Sequence, residues 1–311
     1  MSLRRTLFVA AAAVVASATA LVMPAAAQAA AAPTLAGAWA PLNRCPVDAP
    51  AMLAADGVTV AAACLSSSAP SGTIKIGSTT LTTGATDLQL GLLNQGGVYT
   101  VVAPAAGTVV GDPVDIPGGL LGLMCPSAIP FVTAICQQLA NNPLNRVTAT
   151  IQSAGAPTDF NLANGVGVGQ PILTLPVKIK LDNPFLGSTC YIGSNSNPIV
   201  LKPANLTKPT GRVVRFNADG TPSATGEQGY LSVSGAAQGD STFAVPRSNG
   251  CGLLGILSGA VDLKQGLPSA AGANNLVLND AVTNLGGFQT PRNFAPTEGQ
   301  QLSNRWHAAV I

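Results

Sequence analysis

The chain is 311 residues long, has a mean hydropathy of +0.37 and carries charge on only 9% of its residues, against about 25% in an average soluble domain. Fifteen basic and 13 acidic residues nearly cancel, so there is no basic surface for nucleic acid. Hydrophobic residues make up 47%, which excludes the sparse-hydrophobe, high-charge composition of disordered chains.

Met1 to Ala29 has the pattern of a secretory signal: Arg4 and Arg5 form a charged end, Leu7 to Val22 an apolar run, and Ala27-Gln28-Ala29 a small-residue cleavage site. Cleavage at Ala27 or inside the following alanine run fits the same pattern. The apolar run is short for a bilayer span and is followed by Ala and Pro rather than by basic stop-transfer residues. The residues around Arg4-Arg5 do not match a twin-arginine signal, and no cysteine near the cleavage site offers a lipid attachment point. Cleavage removes two of the basic residues and none of the acidic ones, leaving an exported chain that is formally neutral. The arrangement implies a bacterial protein that is secreted or held at the cell surface.

The remaining chain is long enough for one large β domain or two smaller ones. Its 34 glycines and 24 prolines are spread along the sequence, which favours many short strands joined by tight turns over long helices. The expected fold is all-β, an antiparallel sandwich or barrel-like body with one short helical insertion and three disulfides. A region 30–142 precedes a second β region, 143–311, and the two form either one domain or two.

In chain order, Pro50 to Ala55 can form a turn of helix inside a loop that runs from Leu35 to Leu65. Thr73 to Ile76 and Thr79 to Thr82 read as a hairpin about Gly77-Ser78. Val98 to Ala103 adds a strand, and Asp112 to Pro117 a proline-bounded connector. Gly118 to Asn142 is apolar and unbroken. Its second half, Ala128 to Leu139, fits a short helix, and the segment either packs on the sheet or projects towards lipid or a partner. A related phrase, CGLLGILSGAVDL, begins at Cys251, so the two GLLG segments can face one another in one core.

Arg146 to Gln152 resumes strand character. The clearest strand is Leu173 to Leu181, with Leu173, Leu175, Val177, Ile179 and Leu181 on one face and Lys178 and Lys180 on the other. Cys190 to Ile192 and Ile199 to Leu201 bring the chain back against it. Val213 to Phe216, Tyr230 to Val233, Phe243 to Val245 and Leu276 to Leu278 complete the strands, and the final segment is polar apart from Trp306.

Six cysteines behind an export signal make three disulfides the simplest reading, although fifteen pairings exist for six thiols. Short loops favour Cys45 with Cys64 and Cys125 with Cys136, which leaves Cys190 for Cys251. There is no CxxC pair to bind a metal, and the single histidine, His307, lies in the tail without a GxSxG elbow. The acids available for hydrolysis are two glutamates, Glu227 and Glu298, and aspartates such as Asp182, Asp219, Asp240 and Asp262, which fit turns and caps better than a catalytic pair. Gly165-Val166-Gly167-Val168-Gly169 lacks the spacing of a nucleotide fingerprint, no phosphate-binding P-loop or DxDxDG calcium loop is present, and Asn205-Leu206-Thr207 matches a glycosylation acceptor that carries no weight behind a bacterial export signal. No cofactor is implied.

Four stretches, RCPVD (Arg44 to Asp48), PAMLAADG (Pro50 to Gly57), LDNPFLGSTCYIGSNSNPIVL (Leu181 to Leu201) and GLPSAAGANNLVLND (Gly266 to Asp280), resemble a group of secreted actinobacterial proteins of unknown function. The resemblance covers most of the chain beyond the signal. It implies an exported, cysteine-stabilised protein and carries over no active-site residue. The expected role is structural, adhesive or binding, with contact to a wall polymer or a lipid surface. The alternatives are a secreted hydrolase of wall polysaccharide or lipid that uses Asp182, Asp240 or Asp262, and a lipid-contacting or pore-like protein that uses residues 118–142.

Overall fold

The computed structural model of the protein describes residues 32–125, 130–139, 143–289 and 297–311. Residues 1–31, where the export signal is expected, lie outside them, as do residues 126–129 and 140–142 of the apolar insertion and residues 290–296. The strands are β1 (Ala61–Ala69), β2 (Ser71–Ile76), β3 (Thr79–Thr83), β4 (Thr86–Gln95), β5 (Val98–Val102), β6 (Val109–Gly111), β7 (Val114–Asp115), β8 (Thr148–Ser153), β9 (Leu175–Asp182), β10 (Tyr191–Ile192), β11 (Ile199–Leu201), β12 (Ala204–Asn205), β13 (Thr210–Phe216), β14 (Gln228–Asp240), β15 (Ser248–Asn249) and β16 (Asn275–Gln289). The helices are α1 (Pro50–Leu53), α2 (Gly119–Met124), α3 (Pro130–Leu139), α4 (Leu162–Val166), α5 (Ser258–Gln265) and α6 (Glu298–Ala308).

All sixteen strands belong to one antiparallel sheet whose main path runs β12-β14-β16-β1-β4-β6-β8-β9-β10-β15. Strands from both sides of residue 142 therefore interleave, with β16 paired to both β1 and β2. β2 continues β1 past Pro70 in the same register along β16, and β3 runs on into β4 past Gly84 in the same register along β1 and β2. The result is a long bent hairpin. Its tip needs Gly77, which has φ +55° and whose missing Cβ would collide with the Gln265 carbonyl. Asp280 at φ +50° and Gly235 at φ +79° mark irregularities in β16 and β14 near the same level, so the four long strands bend together.

The sheet curls without closing. β11 pairs with β9 near one end of the path and β12 pairs with β14 at the other, and only residues 202–203 separate β11 from β12. The chain thus crosses the gap that a ladder would fill. Asp240 fixes the crossing: its carboxylate accepts from the Lys202 amide at 2.6 Å and from the Thr242 amide at 2.7 Å.

Two cores lie on opposite faces of the strands. The inner one contains Leu65, Leu90, Val177, Ile179, Leu181, Leu285 and the α2 and α5 side chains Leu120, Met124 and Val261. The outer one contains Trp39, Leu42, Val47, Met52, Ala62, Phe216, Leu302 and Trp306, supplied by a 3-10 turn at Gly37–Leu42, by α1 and by α6. Alternation along β9 is as the sequence predicts: Leu175, Val177, Ile179 and Leu181 are buried and Lys178 and Lys180 are half-exposed.

The three disulfides are Cys45–Cys64, Cys125–Cys136 and Cys190–Cys251. α3 begins at Pro130, and α2 packs against α5, where Gln265 Nε2 donates to the Gly122 and Leu123 carbonyls at 3.2 and 2.9 Å. The two GLLG segments differ in burial, however. Leu120 is buried, whereas Leu253 and Leu254 are 79% and 94% exposed.

Several expectations need correction. Residues 61–65 are the start of β1, not part of a loop, and β4 is a ten-residue strand where none was expected. Helices extend beyond one insertion: α5 and α6 contain eight and eleven residues. Phe243 to Val245 is not a strand. Val245 forms only a bridge to Ser269, and the Phe243 carbonyl is taken by the buried Asn274 amide at 3.1 Å.

Candidate binding cavity

The curl leaves a cavity of about 140 Å3 on the inner face of the sheet. Period-two geometry explains its wall, because residues two apart on a strand share a face. Leu65, Ser67 and Ala69 come from β1, Ala149 and Ile151 from β8, Leu175 and Ile179 from β9, Leu231 and Val233 from β14, and Thr283 and Leu285 from β16. The bent hairpin adds Ile74, Leu81 and Thr83. The segment between β8 and β9 adds Phe160, Leu162, Val166 and Ile172 as a cover.

That cover is held by amide side chains. Asn205, 1% exposed, donates through Nδ2 to the Gly165 and Gly167 carbonyls, both at 2.9 Å, and accepts from Gln238 Nε2 at 3.2 Å. Asn164 Nδ2 donates to the Pro171 carbonyl at 2.7 Å, and the Asn161 side chain caps α4 by accepting from the Asn164 amide. None of the α4 residues is fully buried. The glycosylation acceptor pattern at Asn205 is therefore a buried clasp, and the GVGVG run is the tip of the cover.

Polar groups on the wall are few. Ser67 Oγ and Thr283 Oγ1 satisfy each other at 2.8 Å, and the buried Thr83 hydroxyl has no hydrogen-bond partner among the described residues. The charged lining residues are Asp87 and Asp112. Asp87 is paired with Arg44 at 2.7 Å, and the same guanidinium donates through Nη1 to the Gly107 carbonyl at 3.2 Å. The outward face of β9 carries Lys178 over the Tyr191 ring and Lys180 paired with Asp182 at 2.7 Å.

The acids named from sequence are engaged separately. Asp182 is in that ion pair, Asp219 accepts from the Thr221 amide and hydroxyl, Asp240 holds the crossing, and Asp262 accepts from the Ser248 amide at 2.7 Å. Glu298 opens α6, where the helix dipole favours an acid, and Glu227 acts electrostatically on Arg305. Among the described residues no three His, Cys, Asp or Glu side chains gather as metal ligands would. The described helices include none long and apolar enough to cross a membrane.

His307 is not idle. Its Nε2 lies 2.9 Å from both Asp48 carboxylate oxygens, and Asp48 also accepts from the Ser303 hydroxyl at 2.6 Å. Burial pushes the Asp48 carboxyl up, but the Ser303 hydroxyl and His307 outweigh it and hold it below its ordinary value. RCPVD is thus a structural knot: Arg44 ties the segment to β4, Cys45 to β1 and Asp48 to α6. Nothing in the local sequence marks the cavity, because its wall is assembled from more than ten elements.

Comparison of the chain with protein-family models, with curated proteins and with solved structures returns no match.

Proposed function

We propose that this chain is an exported binding protein of the cell envelope or the surrounding medium, without chemistry of its own, that holds an apolar small molecule inside its curled sheet. The carrying observation is the 140 Å3 lumen lined by Leu, Ile, Val and Phe side chains from both ends of the sheet order. A packed interior rarely leaves voids larger than a water, and a concave, mostly apolar pocket with a few polar groups is what a small-molecule site looks like. Three disulfides and the signal-like N-terminus support an oxidising compartment, and the resemblance to secreted actinobacterial proteins supports the same setting. Of the structural, adhesive and binding roles, the lumen favours binding.

The test is titration with N-phenyl-1-naphthylamine, a neutral dye that brightens in apolar surroundings. Saturable brightening is expected with the unaltered chain, together with its loss in Ala149→Trp and Leu88→Trp, which fill the lumen from two strands. Equal brightening in both variants would reject the site.

A second reading rests on a separate observation. Leu253, Leu254 and Ile256, 79, 94 and 55% exposed, and Leu263 on α5 present apolar side chains outward beside α2, and exposed apolar patches mark interaction surfaces. Contact with a lipid surface through this loop predicts that Leu253→Asp/Leu254→Asp abolishes flotation with neutral liposomes. Residues Leu120, Leu123 and Met124 of the apolar insertion point inward instead.

A further inference from the structure

We infer that the lumen selects an uncharged, slender hydrocarbon, an alkyl or isoprenoid alcohol or ester and not a free carboxylate, and that this ligand passes beneath the α4 cover held by Asn205. The inference rests on the binding reading above and adds the ligand's class and its route.

An engineered cavity of about 150 Å3 lined by aliphatic and aromatic side chains stays dry and takes small apolar molecules; this pocket offers about 140 Å3 of such space and is partly open, so a longer chain can extend out of it. A resident water needs roughly two to four polar partners. Here Ser67 and Thr283 already satisfy each other, and the rest of the wall is mostly aliphatic. Water is therefore a poor occupant. A hydrocarbon with no more than one uncharged oxygen suits a wall with so few polar groups.

Charge decides the headgroup. A buried carboxylate is costly unless paired with a cation, and no Lys, Arg or His lines the lumen. The charged lining residues, Asp87 and Asp112, are both acids and offer an anion no partner. Arg44, beside the lining residue Asp87, is committed to it through Nε and Nη2, at 3.2 and 2.7 Å, and to backbone carbonyls. Recruiting it would strand Asp87.

The route follows from the cover. Leu162 and Val166 lie on the cavity wall, yet no α4 residue is fully buried, so the cover is held by the amide clasp more than by packing. Asn205 secures Gly165 and Gly167 to the short β12–β14 pair, beside the place where the chain crosses the gap. Loss of the clasp frees the cover without removing any wall residue. Asn205 is a positioning residue, and its expected signature is kinetic.

The experiment displaces bound N-phenyl-1-naphthylamine with three ligands of equal chain length, 1-decanol, methyl decanoate and decanoate, at pH 8. The two neutral compounds are expected to compete at concentrations at least about tenfold lower than the anion, a difference of about 1.4 kcal/mol. Equal or stronger competition by decanoate overturns the ligand class while leaving the lumen as a binding site. Failure of the dye to bind at all sinks the binding reading as well. Stopped-flow mixing of the dye with Asn205→Ala and, as a milder change at the surface, Asn164→Ala is expected to show faster association and faster dissociation. Rates unchanged in both variants overturn the route.

Discussion

The two faces of the same strands are packed by different means. On the outer face Trp39, Phe216 and Tyr230 form a chain of rings with centroids 5.4 and 5.7 Å apart, and Trp306 Nε1 donates to the Leu42 carbonyl at 2.8 Å. Large rings and short helices fill that side, and Cys45–Cys64 staples it. On the inner face the residues are mostly aliphatic, and the curl holds them apart around a void. The lesson is that one face stabilises the sheet so that the other can leave space. Packing density, not hydrophobicity, separates structure from site.

The largest expected effect tests the outer face. Trp39, 0% exposed, should cost about 3 to 5 kcal/mol when changed to Ala, as full truncation of a buried aromatic does, measured by denaturant unfolding. A loss under about 1 kcal/mol would mean that the outer core does not hold the sheet.

Disulfide removal sharpens the contrast. On the chain-entropy model Cys190→Ser/Cys251→Ser, which opens a 61-residue separation, should cost about 4 kcal/mol, and Cys125→Ser/Cys136→Ser, which opens 11, about 3 kcal/mol. The first pair belongs to the inner cluster, so its loss should also weaken dye binding, a readout that Cys45→Ser/Cys64→Ser should leave near the unaltered value at a temperature where each variant is folded.

A matched pair of small-to-large changes compares the faces directly. Ala62→Leu, in the outer core, should destabilise by about 1 to 3 kcal/mol through overpacking. Ala149→Leu, on the lumen wall, should be neutral or stabilising by up to about 1 kcal/mol because it fills a void. Equal costs would erase the distinction.

The smallest effects concern acid. Asp56 accepts from the Val60, Val58 and Thr59 amides, which hold its carboxyl at about 2 against an ordinary 3.8. The Asp48 carboxyl and, through Thr221, that of Asp219 are also lowered. Depressed folded-state values mean that the unfolded chain takes up protons first as pH falls. The contribution is complete above the ordinary carboxyl value and is lost from there down towards pH 2. Melting temperature should therefore fall over that interval, and Asp56→Asn should flatten the fall. Asp48→Asn is expected to cost no more than about 1 kcal/mol, as exposed pairs do.

Much of the frame was legible. The alternation of β9 needs only one buried face, and cysteine parity with loop length anticipates all three bonds. β4 carried a readable signal in Leu88, Leu90 and Leu92, buried or half-buried on one parity, interrupted by Gly91 and Leu93. β1 was hidden because AAACLSSSA is composed of small residues whose strand state comes from its neighbours β4 and β16. α6 shows only Leu302 and Trp306 on its apolar side, too few to declare a helix. The lumen was not legible at all, since it exists only once β14 and β9, distant in sequence and in sheet order, face each other.

Diffraction from crystals held under xenon tests the central claim most directly, because xenon marks apolar voids without chemistry of its own. Xenon is predicted between Leu65, Ile179 and Leu285, with none between Trp39 and Trp306. A lumen filled by its own side chains and free of xenon would contradict the account.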